Sequence, residues 1–258
     1  MALFRILSAK FFVAGLILAA LLFSSGCAKD SWFGSMFGSS EPEVDVSGDE
    51  LQMTREAMEY FKVGRYLLAE EIFQQIRDRY PFTPQATLAE LRLADCKYYK
   101  MLYEEAIPLY EEFEKLHPNN DAIPYVIFME GSCYYELMDT ADRDQENTHR
   151  MIDTYDRLLK RYPDSPFTYE AKKRIKEGRN LLAEHELIVA KWYARTDQHK
   201  QSINRLNLLL AMYPDTKWVD EARALLNAQT SAVSETASVE EEEVKKILEP
   251  WYKRLWPF

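Results

Sequence analysis

The sequence predicts an all-α chain, a right-handed solenoid of about five helical hairpins, on three observations. Glycine is scarce: of 8 in 258 residues, only Gly64, Gly131 and Gly178 follow residue 50, too few for the turns of a β-rich or loop-built fold. Apolar residues recur at helical spacing, as in Met151, Ile152, Tyr155, Leu158, Leu159 and Tyr162, the stripe of a helix with one buried face. Four such runs close on a proline, Pro81, Pro118, Pro163 and Pro214, a residue that cannot continue a helix. At 47% hydrophobic and 29% charged, the composition is that of a folded chain. A net charge of −10 offers no basic footprint for nucleic acid. Three cysteines do not make a disulfide framework.

Residues 1–26 read as an address. Arg5 and Lys10 precede the uncharged run Phe11 to Phe23, which is too short for a membrane span and has the order of an export signal. The cysteine after Ser24-Ser25-Gly26 resembles the bacterial lipobox, although Ser24 stands where that motif usually has leucine. On that reading Cys27 carries lipid and opens a mature chain of 232 residues, and loss of two cations takes the net charge from −10 to −12. Several acyl chains would anchor it firmly. Residues 27–48 form a lipid-anchored flexible tether whose Trp32, Phe33, Met36 and Phe37 either sit at headgroup level or belong to a plain linker.

Residues 49–228 carry the repeats. Counting back 24 residues from the closing prolines gives Ala57, Ala94 and Ala190, with Gly131 in the third repeat once a short insertion is allowed. Aromatics follow each one: Tyr60-Phe61, Tyr98-Tyr99, Tyr134-Tyr135 and Trp192-Tyr193. Counting back 12 gives Ala69, Ala106, Met151 and Ser202. Small residues at these spacings let two antiparallel helices approach, and aromatics fill the wedge between pairs. The pattern resembles the tetratricopeptide repeat. Thr83-Pro84 and Ser165-Pro166 read as a cap followed by a first-position proline, and Pro108 falls inside the helix that starts near Tyr103. An insertion occupies Asp139 to Glu146. Residues 167–195 read as one long helix or two shorter ones. Cys96 and Cys133 take equivalent repeat positions, too far apart for a disulfide, and read as small buried side chains. Residues 229–243 read as an acidic low-complexity linker. The basic, aromatic segment 244–258 reads either as a docking element or as a helix capping the solenoid.

Catalytic chemistry finds no support. His185-Glu186 begins like a zinc-protease motif but Val189 stands where the second histidine belongs. The carboxylates Asp139, Asp142, Asp144 and Glu146 lack the glycine and the final glutamate of a calcium loop. No phosphate-cradling loop or nucleophile elbow occurs. No enzyme, no metal and no cofactor beyond the covalent lipid are expected. A solenoid instead offers a concave face to peptides or partner domains, and Tyr60, Lys97, Tyr98 and Tyr134 are candidates to line it.

Several segments together resemble the BamD family of outer-membrane assembly lipoproteins: Arg79-Tyr80-Pro81-Phe82, Asn119 through Val126 with Met129 and Gly131, Asp142-Arg143-Asp144 in the insertion, Arg161 to Ser165, and Asn204-Arg205 before Tyr213-Pro214-Asp215-Thr216. The resemblance spans residues 50–225. It implies a non-enzymatic scaffold at the periplasmic face of the outer membrane of a Gram-negative bacterium. The implied partners are the periplasmic domains of a BamA-like barrel protein, other lipoproteins of the assembly machine, and unfolded barrel proteins received at the N-terminal hairpins. Asn204 and Arg205 match the segment associated with BamA docking, which implies that Arg205 meets an acidic partner residue. The alternative is another periplasmic repeat lipoprotein, a secretin pilotin or a coordinator of cell-wall synthesis.

Overall fold

A computed structural model describes residues 46–248, with side-chain surroundings for 48–245. Cys27, the export signal, most of the tether and the last ten residues lie outside that range. The described residues form nine helices: α1 (Val46–Lys62), α2 (Tyr66–Arg79), α3 (Pro84–Tyr99), α4 (Tyr103–Leu116), α5 (Ile123–Glu136), α6 (Glu146–Arg161), α7 (Thr168–Arg195), α8 (His199–Met212) and α9 (Val219–Leu248). They make four antiparallel hairpins followed by the long α9, the all-α repeat solenoid that the sequence predicts.

Each hairpin ends in the same way. The residue before the closing proline is Tyr80, His117, Tyr162 or Tyr213, with φ between −125° and −136° and ψ between 48° and 64°. Proline's ring bars the residue before it from helical ψ, so the second helix stops at that residue each time. Within hairpins one, two and four, the turn instead uses a left-handed residue: Gly64 at φ 77°, Met101 at 60° and Asp197 at 56°. The following N–H reaches back five residues, Arg65 to Tyr60, Leu102 to Lys97 and Gln198 to Tyr193. That bond satisfies a terminal carbonyl of the first helix.

All eight repeat positions counted back from the prolines are buried, the large Met151 along with the seven small residues. Ala57, Ala69, Phe73, Ile76, Leu93 and Cys96 build one core; Tyr110, Ile127, Cys133, Met151 and Tyr155 belong to a second; Ala183, Leu187, Ala190, Leu206 and Leu209 belong to a third. Cys96 and Cys133 are free thiols, buried as expected. Burial pushes Cys96 up to about 12 and Cys133 up as well.

Thr83 caps α3 by accepting from the Ala86 N–H at 3.1 Å, with Pro84 at the first position. Ser165-Pro166 does not repeat this. The α7 helix begins at Thr168, because Ser165 uses its carbonyl for the Thr168 N–H and hydroxyl and its own hydroxyl for Phe167. Residues 168–195 are one helix: its first part packs Ala171 into the second core and its last part packs Ala183, Leu187 and Ala190 into the third. Burial at both ends outweighs the single glycine, Gly178, in between.

The acidic stretch 229–243, expected as a linker, is helical and continues α9. It has neither glycine nor proline, and Thr230, Ser231 and Thr236 bond back to carbonyls four residues earlier. At the other end, Val46 to Gly48, expected in the tether, already belong to α1.

Candidate functional site

The surfaces singled out in the sequence lie on two parts of the solenoid. At the C-terminal part, Arg205 on α8 extends toward α7, where its Nη1 lies 3.1 Å from Glu186 Oε2 and 3.3 Å from Oε1. The carboxylate is largely covered while the guanidinium side chain is 41% exposed. An arginine with this exposure keeps donors available to a second carboxylate. Asn204 beside it is exposed. Glu186, invisible as a partner in the linear sequence, borders a groove shared by Arg143, Glu146, His149, His185 and Tyr213.

The insertion that forms one wall of this groove is held by specific bonds. Gln145 donates to the carbonyls of Thr140 (2.9 Å) and Arg143 (3.1 Å), and Asn147 donates to Leu137 (3.0 Å). His185 Nδ1 sits 2.7 Å from the carbonyl of Ala141, so this histidine fastens the insertion to α7. Among the described residues no group of three potential ligands could hold a metal ion. Below the groove, Arg179 bridges to Asp215 (2.5 Å) and to the Met212 carbonyl (3.0 Å), and Trp218 donates to the Asn180 carbonyl at 3.0 Å. These bonds fix α8 and α9 against α7.

At the N-terminal part, the four groove candidates do not act alike. Lys97 lies between Glu70 on α2 (2.9 Å) and Glu105 on α4 (2.7 Å), and Lys100 also meets Glu70 at 2.7 Å. Burial pushes the Glu70 carboxyl up, but hydrogen bonds from Lys100 and Lys97 outweigh it and hold the group below its ordinary range. Lys97 therefore clamps three helices. Tyr98 is half-buried edge-on against Tyr99 and Tyr103 at 5.4 Å from each, and burial pushes its hydroxyl up to about 12. Tyr60 is half-buried against the first core. Tyr134 requires a correction: at 7% exposure it is part of the second core, because Tyr134 turns inward where α5 packs on α4 and α6, so it cannot line a groove.

Structure joins to these candidates Phe61, a repeat aromatic of the first hairpin, and Tyr66, which the repeat spacing does not mark. Tyr66 stacks on Tyr99 at 5.1 Å, and Phe61 meets both edge-on at 5.4 and 5.7 Å. Together with Tyr98 and Tyr103 they form a continuous ladder across the first two hairpins. Tyr99 is its exposed rung, at 46%.

Two buried carboxylates set the register of the middle hairpins. Asp95, fully buried, accepts from Tyr110 (2.7 Å), Tyr125 (2.9 Å) and Arg92 (2.6 Å). Burial raises its carboxyl against the pull of those donors. Glu130 pairs with Arg157 and accepts from Thr154 at 3.4 Å, and burial pushes it up to about 7.

The family described as YfiO, outer membrane lipoprotein, matches residues 47–246, and so takes in every described helix. The outer membrane protein assembly factor BamD of Vibrio cholerae is 30% identical over 230 residues, 85% of this chain and 89% of that relative. BamD of Xylella fastidiosa is 26% identical over 213 residues, 76% of this chain and 72% of the relative. Among solved structures, the TPR2AB domain of yeast Sti1 in complex with a pHSP90 is similar over 72% of each chain, with a TM-score of 0.47 and 14% identity.

Proposed function

The chain belongs to the family of YfiO outer membrane lipoproteins and BamD assembly factors, and from this premise we propose that it is a non-enzymatic scaffold that holds a BamA-like barrel protein by its periplasmic domains and receives unfolded barrel proteins for insertion. Membership itself associates the chain with the outer membrane and the assembly of its proteins. The observation that carries the reading is the extent of the match, which runs from α1 to the far part of α9 and includes the insertion before α6.

Chemistry on the two surfaces supports the division of labour. The Arg205 and Asn204 edge is polar, partly exposed and backed by rigid α7 and α8. An acidic partner residue can share the Arg205 guanidinium with Glu186. The aromatic ladder of the first two hairpins offers ring faces and an exposed Tyr99 edge to the aromatic residues of an unfolded barrel protein. Anchoring belongs to Cys27, whose lipid would hold the scaffold at the periplasmic face of the membrane without a spanning helix.

Purification of the tagged chain in mild detergent, with identification of what accompanies it, tests the scaffold. A BamA-like barrel protein is expected in the eluate, lost with Arg205→Glu; its absence from the wild-type eluate overturns the reading. Mass spectrometry of the mature N-terminus tests the anchor: Cys27 is expected to carry acyl chains, and an unmodified Cys27 or a cut elsewhere refutes it.

A further inference from the structure

The last turns of α7 are apolar on two sides. Leu187 and Ala190 are buried in the third core, yet Ile188 and Trp192, one turn apart on the same helix, are 37% and 50% exposed. Tyr193 meets the Trp192 ring edge-on at 5.0 Å, which orients the indole and leaves half of it in water. Facing this stripe stands Leu225 of α9, partly buried against the third core. Ile188, Ala194 and Leu225, with Lys191 and Arg195 beside them, line a groove of about 310 Å³ between the two helices.

Both α7 charges that line the groove are positive, in a chain of net charge −10. Arg195 is exposed and makes no ion pair among the described residues. Lys191 Nζ lies 2.6 Å from Glu221 Oε1, with the two side chains 45% and 47% exposed. A pair this open to water contributes little and exchanges readily for another carboxylate. Glu186 is two residues before Ile188, about 200° around the helix. The groove therefore opens on the face of α7 opposite the Arg205 pair, and what fills one leaves the other accessible.

We propose that the groove between α7 and α9 is a docking site for an extended acidic peptide of a partner protein, one in which apolar side chains alternate with carboxylates. Its apolar side chains cover Ile188 and Leu225. Its carboxylates meet the Arg195 guanidinium, whose planar fork takes both oxygens at once, and the Lys191 ammonium. Tryptophan and arginine side by side are the residue types that dominate binding energy at interfaces. An open groove with an apolar floor and no converging polar groups does not suit a small molecule, and its two cations reject a basic segment. The site goes beyond the scaffold reading and does not depend on it.

Residues 27–258, carrying Cys27→Ser to keep the chain free of lipid, are titrated into fluorescein-labelled peptides and followed by anisotropy. The probe is a peptide of alternating glutamate and leucine; alternating lysine and leucine, and alternating glutamate and serine, are the controls. The glutamate–leucine peptide is expected to bind at least ~10-fold tighter than either control. Arg195→Glu, and separately Ile188→Glu, are each expected to weaken it by ~10-fold or more. Both side chains lie outside the core, so the thermal midpoint should stay unchanged. Tyr99→Ala, on the aromatic ladder of the first two hairpins, is expected to bind as the wild type does. No binding, equal binding of either control, or full affinity in either groove variant overturns the proposal. So does a concentration-dependent dimer in sedimentation that Ile188→Glu abolishes, which would assign the groove to a second copy of the chain. None of these outcomes alters the barrel-protein pull-down, so failure here is distinguishable from failure of the scaffold reading.

Discussion

Replacing Gly131 with alanine tests the close approach of α5 and α6 at one atom. A Cβ at this position falls 2.5 Å from Cε1, 2.8 Å from Cδ1 and 3.0 Å from Cζ of Tyr155, well inside van der Waals contact. The Tyr155 ring cannot simply step aside. It is fully buried, lies 5.7 Å from Phe128, and its hydroxyl is 2.9 Å from Arg174 Nη1 and 3.2 Å from Ser132 Oγ. Overpacking of this kind costs about 1–3 kcal/mol, and a displaced ring also loses a bond to a charged donor worth about 1.5–3 kcal/mol. Alanine returns about 1 kcal/mol of helix propensity. A net loss of about 1.5–5 kcal/mol follows, or at least about 0.7 M in urea midpoint at a slope near 2 kcal/mol/M. Gly178 is the control. Its added Cβ meets Met151 Cε at 2.5 Å and Ile152 no closer than 3.3 Å, and the methyl end of a flexible methionine can swing away. Gly178→Ala should therefore be neutral or up to about 1 kcal/mol more stable. Urea unfolding of both variants, followed by circular dichroism and tryptophan fluorescence, decides the matter. If Gly131→Ala unfolds at or above the wild-type midpoint, or if the two variants shift alike, the close-approach reasoning fails.

Met101 is 75% exposed at φ 60°, so Met101→Gly should relieve left-handed strain and stabilise by about 1 kcal/mol in the same assay. Glu130, raised to about 7, holds a proton in the folded state that it releases near pH 4.5 when unfolded. Its contribution is therefore complete below about pH 4.5 and is lost as pH rises through about 7, by up to about 3 kcal/mol; Glu130→Gln should flatten the difference between urea midpoints at the two ends of this window. In the isolated chain Arg205→Ala should cost no more than about 1 kcal/mol, since the guanidinium is half-exposed, while the same variant loses the barrel partner in the pull-down. Native Cys96 and Cys133 should resist a thiol reagent at pH 8 and react only as fast as the chain opens, which timed labelling in and out of urea will show.

Much of the fold is legible because its rules act within one helical turn. Pro81, Pro118, Pro163 and Pro214 end helices through contact with the residue before them, and the alanines at 57, 69, 94, 106 and 190 declare by size and spacing where helices approach. The same locality explains the failures. Ser165-Pro166 has the letters of a cap, yet Ser165 spends its groups on a turn and α7 starts at Thr168. Residues 229–243 have the composition of a linker, yet lack the breaker that would end α9.

Function was legible at the level of family and not at the level of contacts. By itself the sequence determined the helices, their pairing, the burial of both repeat cysteines and the family to which the chain belongs, because each depends on residue type and short spacing. Tertiary structure alone decided that Tyr134 faces inward, that Lys97 is engaged by Glu70 and Glu105, and that Glu186 stands behind Arg205. Those facts depend on charges and rings brought together from different helices, 27 positions apart for Lys97 and Glu70 and 19 for Arg205 and Glu186. No local rule reaches across that separation until the hairpins have packed.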